Sequence, residues 1–160
     1  MTNNFKYFFI FLSIGLFSPL SLYAADTQIE LSKGQRVYVP AYSHIYSGNQ
    51  ERPFLLTVTL SIRNIDPTNK IKIPLVDYYE TQGKLLKKYI SKPKILNSLE
   101  SLRYVIAEKD KSGGSGANFI VEWESDKPVN RPIIESVMIG TQSSQGVSFT
   151  SRGREIIVSD

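Results

Sequence analysis

The stretch Phe54-Leu55-Leu56-Thr57-Val58-Thr59-Leu60-Ser61-Ile62-Arg63 decides the fold. Phe54, Leu56, Val58, Leu60 and Ile62 alternate with Leu55, Thr57, Thr59, Ser61 and Arg63. Successive side chains of a β-strand point to opposite faces. A period of two therefore lays one apolar face on a core and leaves the other near solvent. Asn64-Ile65-Asp66-Pro67 ends the run, because Asp-Pro starts turns and proline has no N–H to give a central ladder.

Similar segments lie on both sides. Arg36 to Tyr42 alternates Val37, Val39 and Ala41 with Tyr38, Pro40 and Tyr42, and Pro40 signals an edge or a bend. Ile71 to Tyr79 leads into a turn at Thr81-Gln82-Gly83, and Leu85 to Ile90 returns from it. Leu102 to Ala107 puts Leu102, Tyr104 and Ile106 on one face; Asn118 to Glu124 does the same with Phe119, Val121 and Trp123. Ile133 to Ile139 is apolar almost throughout, the pattern of a strand covered on both faces. Val147 to Thr150 is short and suits a sheet edge, while Gln142 to Gly146 and Arg152-Gly153 read as loops. Helical spacing is confined to single-turn echoes at Leu85-Leu86 with Tyr89-Ile90 and within Ile95 to Leu102.

Strand after strand with polar turns predicts an all-β fold, an antiparallel β-sandwich rather than an α/β fold. It is Ig-like in architecture only, since no cysteine pair flanks Trp123. A small closed barrel is the alternative that sequence does not separate from it.

The N-terminus reads as a cleavable signal peptide over residues 1–24, which leaves a single all-β domain over 25–160. Lys6 supplies the positive charge, Tyr7 to Leu20 the apolar run, and Ala24 the small residue before the expected cut; Ala25 is the alternative cleavage point. The run is shorter than a spanning helix requires and contains Pro19. No later segment is apolar enough to span a membrane. The expected location is the periplasm or the exterior.

Composition narrows the chemistry. The chain of 160 residues carries +4, and loss of Lys6 leaves +3, too little to argue for nucleic acid. With no cysteine, no disulfide staples the fold. With one histidine, His44, and no spaced acidic cluster, neither a zinc site nor a calcium site is indicated, and no cofactor is implied. The cluster Lys84, Lys87, Lys88, Lys92 and Lys94 reads as a lysine-guarded edge strand and loop. The competing reading is contact with an anionic surface such as lipid headgroups or polysaccharide.

Two stretches invite a functional reading. Ser112-Gly113-Gly114-Ser115-Gly116 lacks the lysine of a phosphate loop, has Phe119 where the dinucleotide fingerprint needs a third glycine, and precedes a strand, not a helix. It reads as a flexible hairpin loop, with loop-borne binding through Ser115 and Asn118 as the sharper alternative. Tyr38 to Tyr46 crowds Tyr38, Tyr42, His44 and Tyr46 together. Tyrosines suit recognition surfaces and stack on sugars, but Tyr38 and Tyr42 packed under the opposite sheet is the plainer expectation. Tyr42, His44, Tyr46, Ser115 and Asn118 are thus the candidate binding residues. No catalytic residue is assigned: a triad on His44 has no identifiable serine, no Gly-x-Ser-x-Gly elbow is present, and a two-carboxylate hydrolase stays open.

Several segments together resemble a family of exported bacterial proteins known as a domain of unknown function. They are Val37-Tyr38-Val39-Pro40, Tyr42 to Tyr46, Leu60 to Asn64, Val76 to Tyr79, Asp110 to Trp123, Val137 to Thr141 and Ser148 to Gly153. The resemblance implies export and a bacterial origin, and carries over no functional residue. The leading expectation is a binding module for an envelope protein, peptide or glycan. The alternatives are an envelope hydrolase using His44 or a carboxylate pair, and a structural accessory that pairs strands through an open edge.

Overall fold

The computed structural model describes residues 30–46, 52–142 and 145–157. The expected signal peptide and its cleavage point lie outside these residues.

Twelve strands and no helix occur among the described residues. They are β1 (Ser32–Pro40), β2 (His44–Tyr46), β3 (Pro53–Leu55), β4 (Thr57–Arg63), β5 (Ile71–Tyr79), β6 (Leu85–Lys88), β7 (Lys94–Leu96), β8 (Ser101–Ile106), β9 (Asn118–Val129), β10 (Ile133–Gln142), β11 (Gln145–Arg152) and β12 (Arg154–Glu155). The larger sheet runs β12-β1-β9-β5-β6, with β7 also pairing β5; the smaller runs β11-β10-β4-β8. All pairings are antiparallel, and the sheets face each other without closing into a barrel.

The core follows the alternation. In the larger sheet Val39, Phe119 and Tyr78 form one inward row and Val37, Val121 and Val76 the next. In the smaller sheet Met138, Val58 and Ile106 face them, with Ile134, Ile62 and Leu102 beyond. Trp123 is buried and its indole N–H donates to Gln35 Oε1 at 3.1 Å, so its one polar group is satisfied.

Phe54 to Arg63 buries the five side chains its alternation selects, but it is not one strand. The chain breaks at Leu56, so that β3 pairs β2 in a separate two-stranded ribbon while β4 enters the smaller sheet. The helical echoes at Leu85–Ile90 and Ile95–Leu102 form no helix; β6 occupies most of the first, and β7 and β8 take the two ends of the second. Ile133 to Ile139 is covered on one face only: Ile134, Ser136 and Met138 are buried, whereas Ile133 and Ile139 are exposed. Val147 to Thr150 grows into the eight-residue strand β11, and Gly153 marks the crossing from β11 in one sheet to β12 in the other.

The end of the sandwich that holds the loops after β4, β7 and β9 is tied by two side chains. Asn64 Nδ2 donates to the carbonyls of Asn69, Leu96 and Asn97, and its Oδ1 accepts from the Asp66 N–H. Asp66 Oδ1 accepts from the backbone N–H groups of Thr68 and Asn69, and Oδ2 from that of Asn130. These donors, Thr68 and Asn69 first, hold its carboxyl well below the usual carboxylate range, because each favours the charged form.

Candidate functional site

The opposite end carries the tyrosine-rich stretch. β1 stops at Pro40, and the next residues are laced to the glycine-rich segment. Ala41 N–H donates to Ala117 O at 2.8 Å and Ser43 N–H to Gly114 O at 3.0 Å. Ser43 is fully buried, with its hydroxyl 3.0 Å from Tyr78 Oη. The ribbon of β2 and β3 then stands over Gly140, where a Cβ would run into Leu55 O, Phe54 Cε1 at 2.6 Å and Leu56 Cδ2 at 2.7 Å. Glycine is there so that the ribbon can seat on the smaller sheet.

The ribbon presents His44 and Tyr46. Their rings meet edge to face, centroids 5.3 Å apart, and Nε2 lies 3.2 Å from Tyr46 Oη. His44 Nδ1 is shielded and has no partner among the described residues. Tyr46 is 53% exposed. Tyr42 does not join this pair. It is half-buried with its ring edge-on to Phe149, centroids 5.8 Å apart. Tyr38, expected under the opposite sheet, instead lies on the outer face of the larger sheet, 38% exposed.

The glycine-rich segment departs from the expected flexible hairpin. It lies in residues 107–117, which cross from β8 in the smaller sheet to β9 in the larger. Thr81 pins it: its N–H and its Oγ1 both donate to Gly113 O, at 3.0 and 2.9 Å, and the Gly116 N–H donates to Thr81 Oγ1 at 3.1 Å. Gly113 has no room for a side chain, since a Cβ would overlap Tyr78 Oη. Gly114 needs φ of +78°. Ser115 and Asn118 are both half-buried here, Asn118 flanked by Pro40 and Tyr79. The structure thus brings His44 and Tyr46 into contact, and sets Ser115 and Asn118 on the neighbouring crossover and strand.

Beneath this end lies an aromatic cluster. Tyr78, Phe119, Tyr89 and Tyr104 form a chain of ring contacts with centroids 4.8 to 5.8 Å apart. Burial pushes all three phenols up, Tyr89 to about 12; the Ser43 hydroxyl partly offsets the rise at Tyr78. These tyrosines are packing residues that stay neutral.

His44 hydrogen-bonds Tyr46, and no carboxylate is bonded to it among the described residues. No group of three or more His, Asp or Glu among them stands together as a metal site, and no helix among them is long and apolar enough to cross a membrane.

Comparison with known proteins assigns the family. The model of the family described as protein of unknown function (DUF3124) matches residues 34–156. The chain belongs to this family. The match runs from β1 through β12 and takes in the tyrosine ribbon, the glycine-rich crossover and the Asp66 turn. No curated protein matches this DUF3124 chain. Among solved structures, a crystal structure titled Thermotoga maritima 1070 is similar at 14% identity and a TM-score of 0.46, covering 78% of this chain and 96% of that one.

Proposed function

We propose that the chain is an exported binding module that recognises an envelope protein, peptide or glycan through the end bearing the β2–β3 ribbon. The observation that carries the reading is the His44–Tyr46 pair. A 53% exposed tyrosine is held by a ring contact and a hydrogen bond on a two-stranded ribbon that pairs with neither main sheet. Such a tyrosine loses little freedom on binding and offers an apolar face with a polar tip. Export rests on Lys6, the apolar run Tyr7 to Leu20 and Ala24.

A photo-reactive amino acid at position 46, with position 127 as the control, tests the site in living cells. A reproducible envelope partner captured from 46 and not from 127 supports the reading. Equal capture from both, or capture of the chain alone, refutes it. N-terminal sequencing of protein from the envelope fraction should start at Ala25.

One observation favours a second reading, in which the partner pairs with a sheet edge. Among the described residues β11 is one of the two edges of the smaller sheet, and Gly146 to Ser151 carry no charge and no proline to guard it. Thr150→Lys should then weaken partner capture while Tyr46→Ala leaves it unchanged.

A further inference from the structure

We propose that the edge of the larger sheet formed by β6 and β7 docks on the surface of an anionic lipid bilayer. This edge begins beside the glycine-rich crossover, at the Thr81 turn, and runs along β5 away from the tyrosine ribbon. Residues 84–96 contain five lysines and no acidic residue. Lys84, Lys87, Lys88, Lys92 and Lys94 are all exposed, and none is among the ion pairs of the described residues. Edge guarding explains exposed lysines. It does not explain the aliphatic side chains between them: Leu85 is 38%, Leu86 37% and Ile95 47% exposed.

The register puts the two kinds of side chain on one surface. Leu85 lies opposite Tyr79, Lys88 opposite Asp77 and Ile95 opposite Lys72, all on the outward side of β5. From Tyr79 to Lys72 that surface runs roughly 20 Å along the strand. Lys87 and Lys94 lie opposite core-facing Tyr78 and Ile73, with Lys87 Nζ 4.5 Å over the Tyr89 ring and Lys94 Nζ 6.0 Å from the Tyr104 ring, so these two cations line the inner rim of the edge while Lys88 shares the outward surface. Acidic groups border the edge and offset part of its charge: Asp77 lies opposite Lys88, Glu80 accepts from the Lys84 N–H, and Asp126 lies near Ile95, while Glu124 is paired with Lys72. Five lysines against these leave the edge basic, because residues 84–96 themselves hold no acid.

A charged glycan would use the lysines and leave the aliphatic side chains in water. A bilayer interface uses both: phosphates meet the ammonium groups, lysine stems lie along the acyl boundary, and leucine and isoleucine enter it. The paired demand for charge and apolar contact selects lipid over polysaccharide.

The test is sedimentation of the full chain, expressed from its whole sequence and purified as the cell processes it. Vesicles of phosphatidylglycerol with phosphatidylethanolamine are compared with pure phosphatidylcholine. Any retained N-terminal apolar run is common to all variants, so differences between variants report the edge alone. Binding is expected on the anionic vesicles only, falling at high salt as charges are screened. K87Q/K88Q should weaken it about 25-fold, at about fivefold per lysine. L85S/L86S should weaken vesicle binding and leave binding to an anionic polysaccharide resin unchanged. Unaltered far-UV spectra and melting confirm that both variants fold. Vesicle binding that is absent, that ignores K87Q/K88Q, or that is matched by the polysaccharide resin and insensitive to L85S/L86S overturns the proposal.

Discussion

Gly113→Ala should unfasten the glycine-rich crossover from the core. The added Cβ would overlap Tyr78 Oη and lie 2.7 Å from Tyr78 Cζ and 2.8 Å from Ala117 Cβ, against ordinary contacts near 3.5 Å. Neither side yields easily. Tyr78 is 2% exposed and packed on Phe119, while Gly113 O is fixed by two donors from Thr81. Overpacking of this kind costs about 1–3 kcal/mol, and with both sides fixed we expect about 3. For a domain of this size that lowers Tm by roughly 10 °C. Tyr78→Phe alone removes the hydrogen bond to Ser43 and should cost about 1 kcal/mol. In the double variant the nearest obstacle is gone, so the costs should fall short of additivity by about 1 kcal/mol. Urea titration of the four proteins measures this cycle. A neutral Gly113→Ala, or costs that add to within about 0.4 kcal/mol, would refute the collision as the reason for glycine at this position.

Gly83 provides the contrast, with φ of +85° and nothing within 4 Å of an added Cβ. Gly83→Ala should cost about 1 kcal/mol through the backbone alone, and Gly83→Asn less, as thermal melts would show. Leu99 is the one non-glycine residue with positive φ, +59°, among the described residues, and it is 67% exposed. Leu99→Gly should therefore stabilise by about 0.5–1 kcal/mol in urea, the relief of strain exceeding the added freedom of the unfolded chain. Asp66 has a depressed folded pKa, so its contribution is present above the unfolded aspartate value near 4 and is lost as pH falls below it. Asp66→Asn should flatten the acid limb of the Tm-against-pH curve; an unchanged limb would assign acid sensitivity elsewhere.

The strands were legible because their burial is one-sided. Val37 with Val39, and Phe119 with Val121 and Trp123, show their faces by alternation alone, and so does Phe54 to Ile62. The break at Leu56 was hidden, because alternation continues through it: Phe54 is buried under the ribbon and Val58 between the sheets, and period two does not say which partner covers which residue. Ile133 to Ile139 misled through composition. Ile133, Val137 and Ile139 look outward, and exposed apolar residues on a sheet surface are common. In the candidate site, Tyr42 to Tyr46 could be picked out as aromatic density. That His44 meets Tyr46 while Tyr42 turns to Phe149 depends on a ribbon the sequence does not announce. Thr81 drew notice only as a turn residue, since its bonds to Gly113 and Gly116 span more than 30 positions of chain.

The antiparallel pairing of β1 with β12 fixes how the molecule is presented to its surroundings. β1 runs toward the tyrosine ribbon and β12 runs away from it, with the Ile156 N–H returning to Arg36 O. The first and last described strands therefore enter and leave at one pole, beside the Asp66 turn, and the ribbon lies at the other. A tether, tag or fusion partner joined through either strand would hang from the pole opposite His44 and Tyr46, so the chain can be anchored from both ends without screening its recognition tip.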